Sequence, residues 1–241
     1  MTARLRPIAL LAAALALAPA AARASAADAF ENRIPPVAGQ LYGKAGRFEL
    51  SPIAQVSLND AFFSKYLFGL RGGYHFSELL GLSASFATGP SVATGSTNVC
   101  RSNAGCRSAT DAELFQVPGH VNWLAGLELE VSPIYGKLNL FAEQVIHFDF
   151  SLLAGGDVVA YRRVLDATAA GTAAAAGATP PTDSAMGGHL GLGARVFLGR
   201  SVALRLELKD YLYRIPLAGR TDTQSQLLTE LGLSFFFGGG R

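Results

Sequence analysis

The sequence predicts an all-β chain, an eight-stranded antiparallel up-and-down transmembrane β-barrel with a filled polar lumen. Three observations lead there. Segment after segment alternates apolar and polar residues with the period of two that sends successive side chains to opposite faces of a strand. The polar faces carry acids, bases and many glycines rather than one sign of charge. The chain opens with an export signal, so the apolar faces have a membrane available to them.

The pattern is clearest in residues 190–213, LGLGARVFLGRSVALRLELKDYLY, where Gly199, Arg200 and Ser201 leave room only for a tight turn between two runs. On the first run Leu190, Leu192, Ala194, Val196 and Leu198 oppose His189, Gly191, Gly193 and Arg195. On the second, Val202, Leu204, Leu206 and Leu208 oppose Arg205, Glu207 and Lys209. A soluble, lipocalin-like barrel would turn the leucines inward. It is disfavoured because the apolar face forms too continuous a belt and the polar face holds too many glycines for a solvated surface.

From the start of the chain, Arg4 and Arg6 precede an apolar run over 8–17, followed by Pro19 and small residues. Residues 1–26 thus form a secretory signal peptide, with cleavage after Ala24 or Ala26 equally compatible with the small-x-small rule. The run is shorter than the ~20 residues a membrane helix needs. Residues 27–46, with Pro35 and Pro36, make a periplasmic lead, and 47–241 form the barrel.

Residues 47–59 give the first strand, with Phe48, Leu50, Ala54, Val56 and Leu58 opposite Glu49, Ser51, Gln55 and Ser57; Pro52 interrupts the ladder and Ile53 breaks the alternation. The second, 65–76, sets Tyr66, Phe68, Leu70, Tyr74 and Phe76 against Lys65, Gly69, Arg71, Gly73 and His75. The third, 80–88, sets Leu80, Leu82, Ala84 and Phe86 against Gly81, Ser83, Ser85 and Ala87. A polar loop over 89–119 follows. The fourth strand, 120–132, sets Val121, Trp123, Ala125, Leu127, Leu129 and Val131 against Asn122, Gly126, Glu128 and Glu130. Residues 133–144 fit an extension of that strand, a separate short strand or a short helix.

The fifth strand, 145–161, sets Ile146, Phe148, Phe150, Leu152, Ala154 and Val158 against His147, Asp149, Ser151 and Asp157. Residues 162–185, rich in Ala, Thr, Gly and Pro, suggest a floppy loop. The hairpin supplies strands six and seven, 214–226 a further loop, and 227–238 the eighth strand with Leu231, Leu233, Phe235 and Phe237 outward. Long connections after strands three, five and seven, and tight ones after two and six, suit an even-stranded barrel with short periplasmic turns.

In so narrow a barrel side chains fill the interior. Glu49, Arg71, Glu128, Glu130, Asp149, Arg195, Arg205, Glu207, Lys209 and Glu230 are therefore expected to pair across the lumen. Leu204, Leu206, Leu208, Phe235 and Phe237 are expected to face lipid, with Tyr66, Tyr74, Trp123 and Phe235 at the interfaces. The cysteines, Cys100 and Cys106, lie in one polar segment, CRSNAGC, and an exported chain can join them as a loop staple. Two thiols without a nearby His pair are too few for a metal site, and a net charge of +2 gives no nucleic-acid footprint. No cofactor is expected.

The chain resembles the small eight-stranded outer-membrane barrels of the outer-membrane protein A type. More narrowly, ENRIPPVAGQLYGKAGRFELSP, VSLNDAFFSKY and GLRGGYHFSELLGLSASF are similar to an outer-membrane β-barrel domain family abundant in gliding myxobacteria and their relatives. The resemblance covers nearly all of the mature chain and implies fold, outer-membrane location and contact with membrane lipids. It also implies a role in envelope-spanning machinery such as that of gliding. The last strand, Glu230 to Phe237, resembles the insertion signal read by the barrel-assembly machinery, but continues through Gly238, Gly239, Gly240 and Arg241 instead of stopping at an aromatic residue.

Three functions follow as alternatives. The first is a non-enzymatic scaffold that meets an envelope protein partner through loops 89–119 and 162–187. The second is a small pore, which a lumen filled by ion pairs opposes. The third is a membrane-embedded acyl hydrolase or transferase, which would draw on His75, His147 or His189 with Ser51, Ser83 or Ser85. A polar lumen requires such residues for structure alone, so no residue is assigned to catalysis and the expectation is that the protein is not an enzyme. His120, at a loop boundary, is expected to be rim polarity.

Overall fold

The structure, a computed structural model, describes residues 41–101, 105–140, 144–217 and 220–238. The expected signal peptide and residues 27–40 of the lead lie outside the described residues. The strands are β1 (Arg47–Ser57), β2 (Phe63–His75), β3 (Leu80–Thr88), β4 (Ser91–Ala93), β5 (Val99–Arg101), β6 (Gly105–Arg107), β7 (Val121–Leu140), β8 (Gln144–Arg162), β9 (Thr182–Phe197), β10 (Val202–Leu217) and β11 (Arg220–Phe237). Two short helices, α1 (Asp111–Leu114) and α2 (Ala167–Ala175), lie in the longer connections.

Eight strands close an antiparallel up-and-down barrel in the order β1-β2-β3-β7-β8-β9-β10-β11, with β11 returning to β1. Closure removes both sheet edges, the one solution for a strand assembly whose backbone must be satisfied internally. Sequence alternation sets the faces. Along β10, Leu204, Leu206 and Leu208 point out and are exposed, while Arg205, Glu207 and Lys209 point in and are buried. The turn between β9 and β10 closes with Leu198 N donating to Val202 O at 3.0 Å. Aromatic rings collect on the outer wall near both ends: Phe48, Tyr74 and Phe76 at the end carrying the tight turns, Phe86 and Trp123 towards the end carrying the long loops.

Several local expectations change. Val121 points into the barrel rather than outward, because a bulge at Asn122 inserts one residue against β8 and reverses the parity of the strand's first residues. Residues 133–140 extend the fourth barrel strand; a second bulge between Val131 and Ile134 absorbs Pro133, and pairing continues to Leu140 opposite Gln144. Ile53 is buried in the lumen, and Pro52 pairs with β2 at a gap in the β1–β11 ladder, where its missing N–H leaves no orphan. Residues 214–226 are not an open loop, since β10 and β11 stay paired as far as Leu217 and Arg220. Residues 162–185 are ordered too: Asp166 caps α2 by accepting from Ala169 N at 2.8 Å, and β9 begins at Thr182.

Candidate functional site

Two features distinguish this barrel from a bare membrane cylinder: a lumen sealed in layers and a folded cap over the loop end.

The lumen is polar only across its middle. Arg205 donates from Nη1 to Glu49 Oε1 at 2.6 Å, from Nη2 to Glu130 Oε2 at 3.0 Å and from Nε to Glu207 Oε1 at 2.9 Å. Arg195 spans Asp149 at 3.0 Å, Glu130 at 3.0 Å and Glu49 at 3.2 Å. Arg71 pairs with Glu128, with Glu207 at 2.7 Å and with Glu230 at 3.2 Å. Lys209 adds Glu207 at 2.6 Å, Glu128 at 3.1 Å and Glu230 at 3.2 Å. Gln55 Nε2 donates to Glu230 at 2.5 Å, and Ser234 Oγ to Glu49 at 2.5 Å. All these groups are buried. Each cation meets several carboxylates, as a desolvated network requires if no charge is to be left unpaired.

The sequence-derived network is thus one connected layer, and four groups outside that set belong to it. His189 places Nδ1 2.7 Å from Asp157 and Nε2 2.8 Å from Glu128. His75 Nε2 lies 2.6 Å from Glu49. Lys44, from ahead of β1, reaches Asp149 at 2.7 Å. Inward glycines make the space: a Cβ on Gly126 would collide with Asp157, and one on Gly155 with His189. His75, Asp157 and His189 were legible as inward polar positions, but their partners sit on other strands; Lys44 carried no strand signal at all.

Above this layer the lumen turns apolar. Ile53, Leu67, Ala87, Val121, Leu124, Val159, Ala185, Ile215 and Leu228 pack there with Tyr161, Tyr211 and Tyr213, all buried. Below it Phe197, Ala203 and Phe236 form a second apolar cluster against Tyr42 and Tyr135, and Tyr135 Oη lies 2.8 Å from His147 Nδ1. Leu67, Leu124, Val159 and Leu228 stand at inward parities that a strand-by-strand pattern left unassigned, so the filled polar lumen carries an apolar layer as well. The histidines that the acyl-transfer alternative would draw on have partners other than serine: Glu49 for His75, Tyr135 for His147, Asp157 and Glu128 for His189. Among the described residues, Ser51 bonds Glu49 and Ser234, and Ser83 accepts from Arg71 Nε at 3.0 Å. No group of His, Cys, Asp and Glu suited to a metal ion occurs among them.

The cap is built from residues 89–101, 105–119 and 163–181. β4 pairs with the top of β2, and β5 with β6, where Cys100 and Cys106 are register partners joined by a disulfide. Within α1, Glu113 accepts from Thr110 N, just ahead of the helix, at 2.8 Å and from the Arg107 guanidinium at 2.8 and 2.7 Å. The Arg107 bonds, then those from Thr110, hold its carboxyl down to about 2, so it stays ionised at ordinary pH. Leu165 N donates to Phe115 O at 2.9 Å and ties the two connections together. Both arms carried readable helix signals, Thr110 to Glu113 as a capping box and Asp166 ahead of an alanine run.

Arg162, the last residue of β8, fastens the cap. Its guanidinium carbon lies 5.2 Å from the Phe63 ring centroid and 5.2 Å from that of Phe115, and Nη2 donates to Leu114 O at 2.9 Å. His120 packs edge-on against Phe63 at 5.5 Å; burial, with the Arg162 charge nearby, pushes it down to about 4. At the rim Lys65 pairs with Asp60 at 2.5 Å, and Gln226 Nε2 donates to the same carboxylate at 2.8 Å. Arg162→Ala is expected to leave the barrel folded and to raise hydrogen exchange across 111–118 and 163–176. The expected cost is about 2–3 kcal/mol locally, the worth of two cation–π contacts and one hydrogen bond.

No family model and no curated protein matches the chain. Among solved structures it is similar to the N-terminal β-barrel domain of OprF from Pseudomonas aeruginosa, at 11% identity and TM-score 0.48, over 81% of this chain and 99% of that one. It is also similar to the outer membrane protein OprG of Pseudomonas aeruginosa, at 14% identity and TM-score 0.40, over 82% and 99%. A third is Ail, the attachment invasion locus protein of Yersinia pestis, at 13% identity and TM-score 0.38, over 80% and 99%.

Proposed function

We propose that the chain is an outer-membrane barrel that acts without enzymatic chemistry as an envelope scaffold, meeting an envelope protein through the cap at its loop end. The carrying observation is the pairing of a filled lumen with a fastened cap: among the described residues buried ion pairs and apolar side chains fill the interior, while the cap presents a folded surface. The exposed leucines and phenylalanines around the closed wall support a bilayer as the barrel's solvent. The short turns then lie in the periplasm and the cap outside the cell. A place in an envelope-spanning machinery such as that of gliding is the finer form of this reading, and β11 is the strand through which the barrel-assembly machinery would receive the chain.

Fractionated envelopes provide the test. The chain is expected in the outer membrane, with gel mobility that changes on boiling. Affinity capture should recover one reproducible envelope protein with the intact chain and lose it when 95–116 are replaced by a flexible linker. Recovery in the soluble periplasm would overturn the location. Steady stepwise conductance in planar bilayers would favour the pore, which the apolar layer over the charged one opposes. The acyl-transfer reading has the weakest support, because His189 places both ring nitrogens on carboxylates, His75 places Nε2 on Glu49 and His147 places Nδ1 on Tyr135.

A further inference from the structure

Residues 41–46 fold back across the turn end of the barrel before β1 begins. Gly46 takes φ +72°, a left-handed conformation that lets the chain reverse into the strand, and its N–H donates to His75 O at 2.8 Å. Glu78, from the turn between β2 and β3, accepts from the backbone N–H groups of Lys44 at 2.8 Å and Ala45 at 3.0 Å. Tyr42 stacks on Phe197 at 5.8 Å and meets His147 edge-on at 4.9 Å. With its backbone held this way, Lys44 sends its side chain into the lumen, where it is fully buried.

The Lys44 ammonium has three oxygen partners. Nζ lies 2.7 Å from Asp149 Oδ2, 2.9 Å from Ser132 Oγ and 3.5 Å from Glu130 Oε1. Ser132 is committed as an acceptor, because its own proton goes to Glu130 Oε1 at 3.0 Å. Three acceptors around one nitrogen suit the three N–H groups of a primary ammonium. Asp149 is buried, and its other oxygen, Oδ1, has no hydrogen-bond partner among the described residues, so the pocket holds spare acceptor capacity. The strap backbone is held by Glu78, by His75 O through Gly46 N and by Arg47 N on Lys44 O at 3.1 Å, and the ammonium by β7 and β8. None of these contacts is a ladder bond of the barrel, so strap and head group can leave together without unzipping a barrel strand.

We propose that the turn end of the barrel is a binding site for a primary alkylammonium, occupied in cis by Lys44 and exchangeable for the lysine side chain of another polypeptide. The site goes beyond the scaffold reading and stands without it, since it depends only on the strap and the acids beneath it. Withdrawal of the strap would take Tyr42 out of the lower apolar cluster and open a way to Glu130 and Asp149, where a competing lysine would restore the lost cation.

The test uses the whole chain folded in detergent micelles or vesicles. Lys44→Ala is expected to unfold at a lower temperature than the parent and to exchange the amides of positions 44 and 45 about ten-fold faster or more. Ethylammonium should restore the unfolding temperature saturably, whereas tetramethylammonium, which has no N–H to donate, should not at equal ionic strength. Glu78→Ala provides a second route that keeps the lysine: ethylammonium should raise strap exchange further by competing with Lys44. A Lys44→Ala barrel as stable as the parent, equal effects of the two ammonium ions, or a Glu78→Ala strap insensitive to ethylammonium would each overturn the site.

Discussion

Replacing Arg205 with alanine is expected to destabilise the folded barrel by about 3–5 kcal/mol, the range for removing one partner from a buried ionic cluster. Arg205 reaches Glu49, Glu130 and Glu207 from one planar guanidinium, and all three carboxylates are buried. Their remaining cations Arg195, Arg71, Lys209 and Lys44 are already shared with other acids, so none can move across without giving up a partner. Apolar layers above and below keep bulk water from hydrating the exposed charge. Equilibrium unfolding in lipid vesicles measures the loss, and the pair Arg205→Ala with Glu207→Gln should cost less than the sum of the two single changes. A loss under about 1 kcal/mol, the scale of a solvated surface pair, would mean that water reaches the network.

Leu206→Arg is expected to cost about 2–4 kcal/mol, the penalty for a cation on the lipid face near mid-depth. Leu206 pairs with Ala194 on β9 and Leu231 on β11, points away from the lumen and is 53% exposed. In water such exposure would make the substitution almost free; in a bilayer the guanidinium must snorkel or thin the membrane. Leu198, 63% exposed beside the tight turn between β9 and β10, provides the control. Arginine there lies near the interface and should cost about 0–1 kcal/mol. Equal tolerance at both sites in vesicle unfolding would reject a lipid-facing wall.

Legibility along the chain followed how local each signal is. The hairpin of β9 and β10 was readable because a period-two pattern and a three-residue turn specify both faces without outside help. Val121 was misassigned for a tertiary reason: the bulge at Asn122 exists only against β8, and nothing in the alternation of the fourth strand announces it. Residues 214–226 look loop-like because Arg214, Pro216, Asp222 and the threonines are polar or strand-breaking. They pair nevertheless: Ile215 and Gln226 turn inward and are buried, while Arg214, Pro216 and residues 220–223 are exposed, so water on the outer side is enough for polar residues there.

Period-two alternation is a one-dimensional property, and it settled strand number, up-and-down order and the sorting of Leu204, Leu206 and Leu208 from Arg205, Glu207 and Lys209. What only the tertiary structure decided is height and partnership inside the barrel. A residue's parity says that it points inward, but its level along the axis depends on register and stagger between strands. Register put Arg71, Arg195, Arg205 and Lys209 in one layer with their acids, gathered Leu67, Leu124, Val159 and Leu228 into an apolar seal above them, and brought Lys44 in from outside any strand. Such pairings join residues far apart in the chain, so no local pattern can contain them.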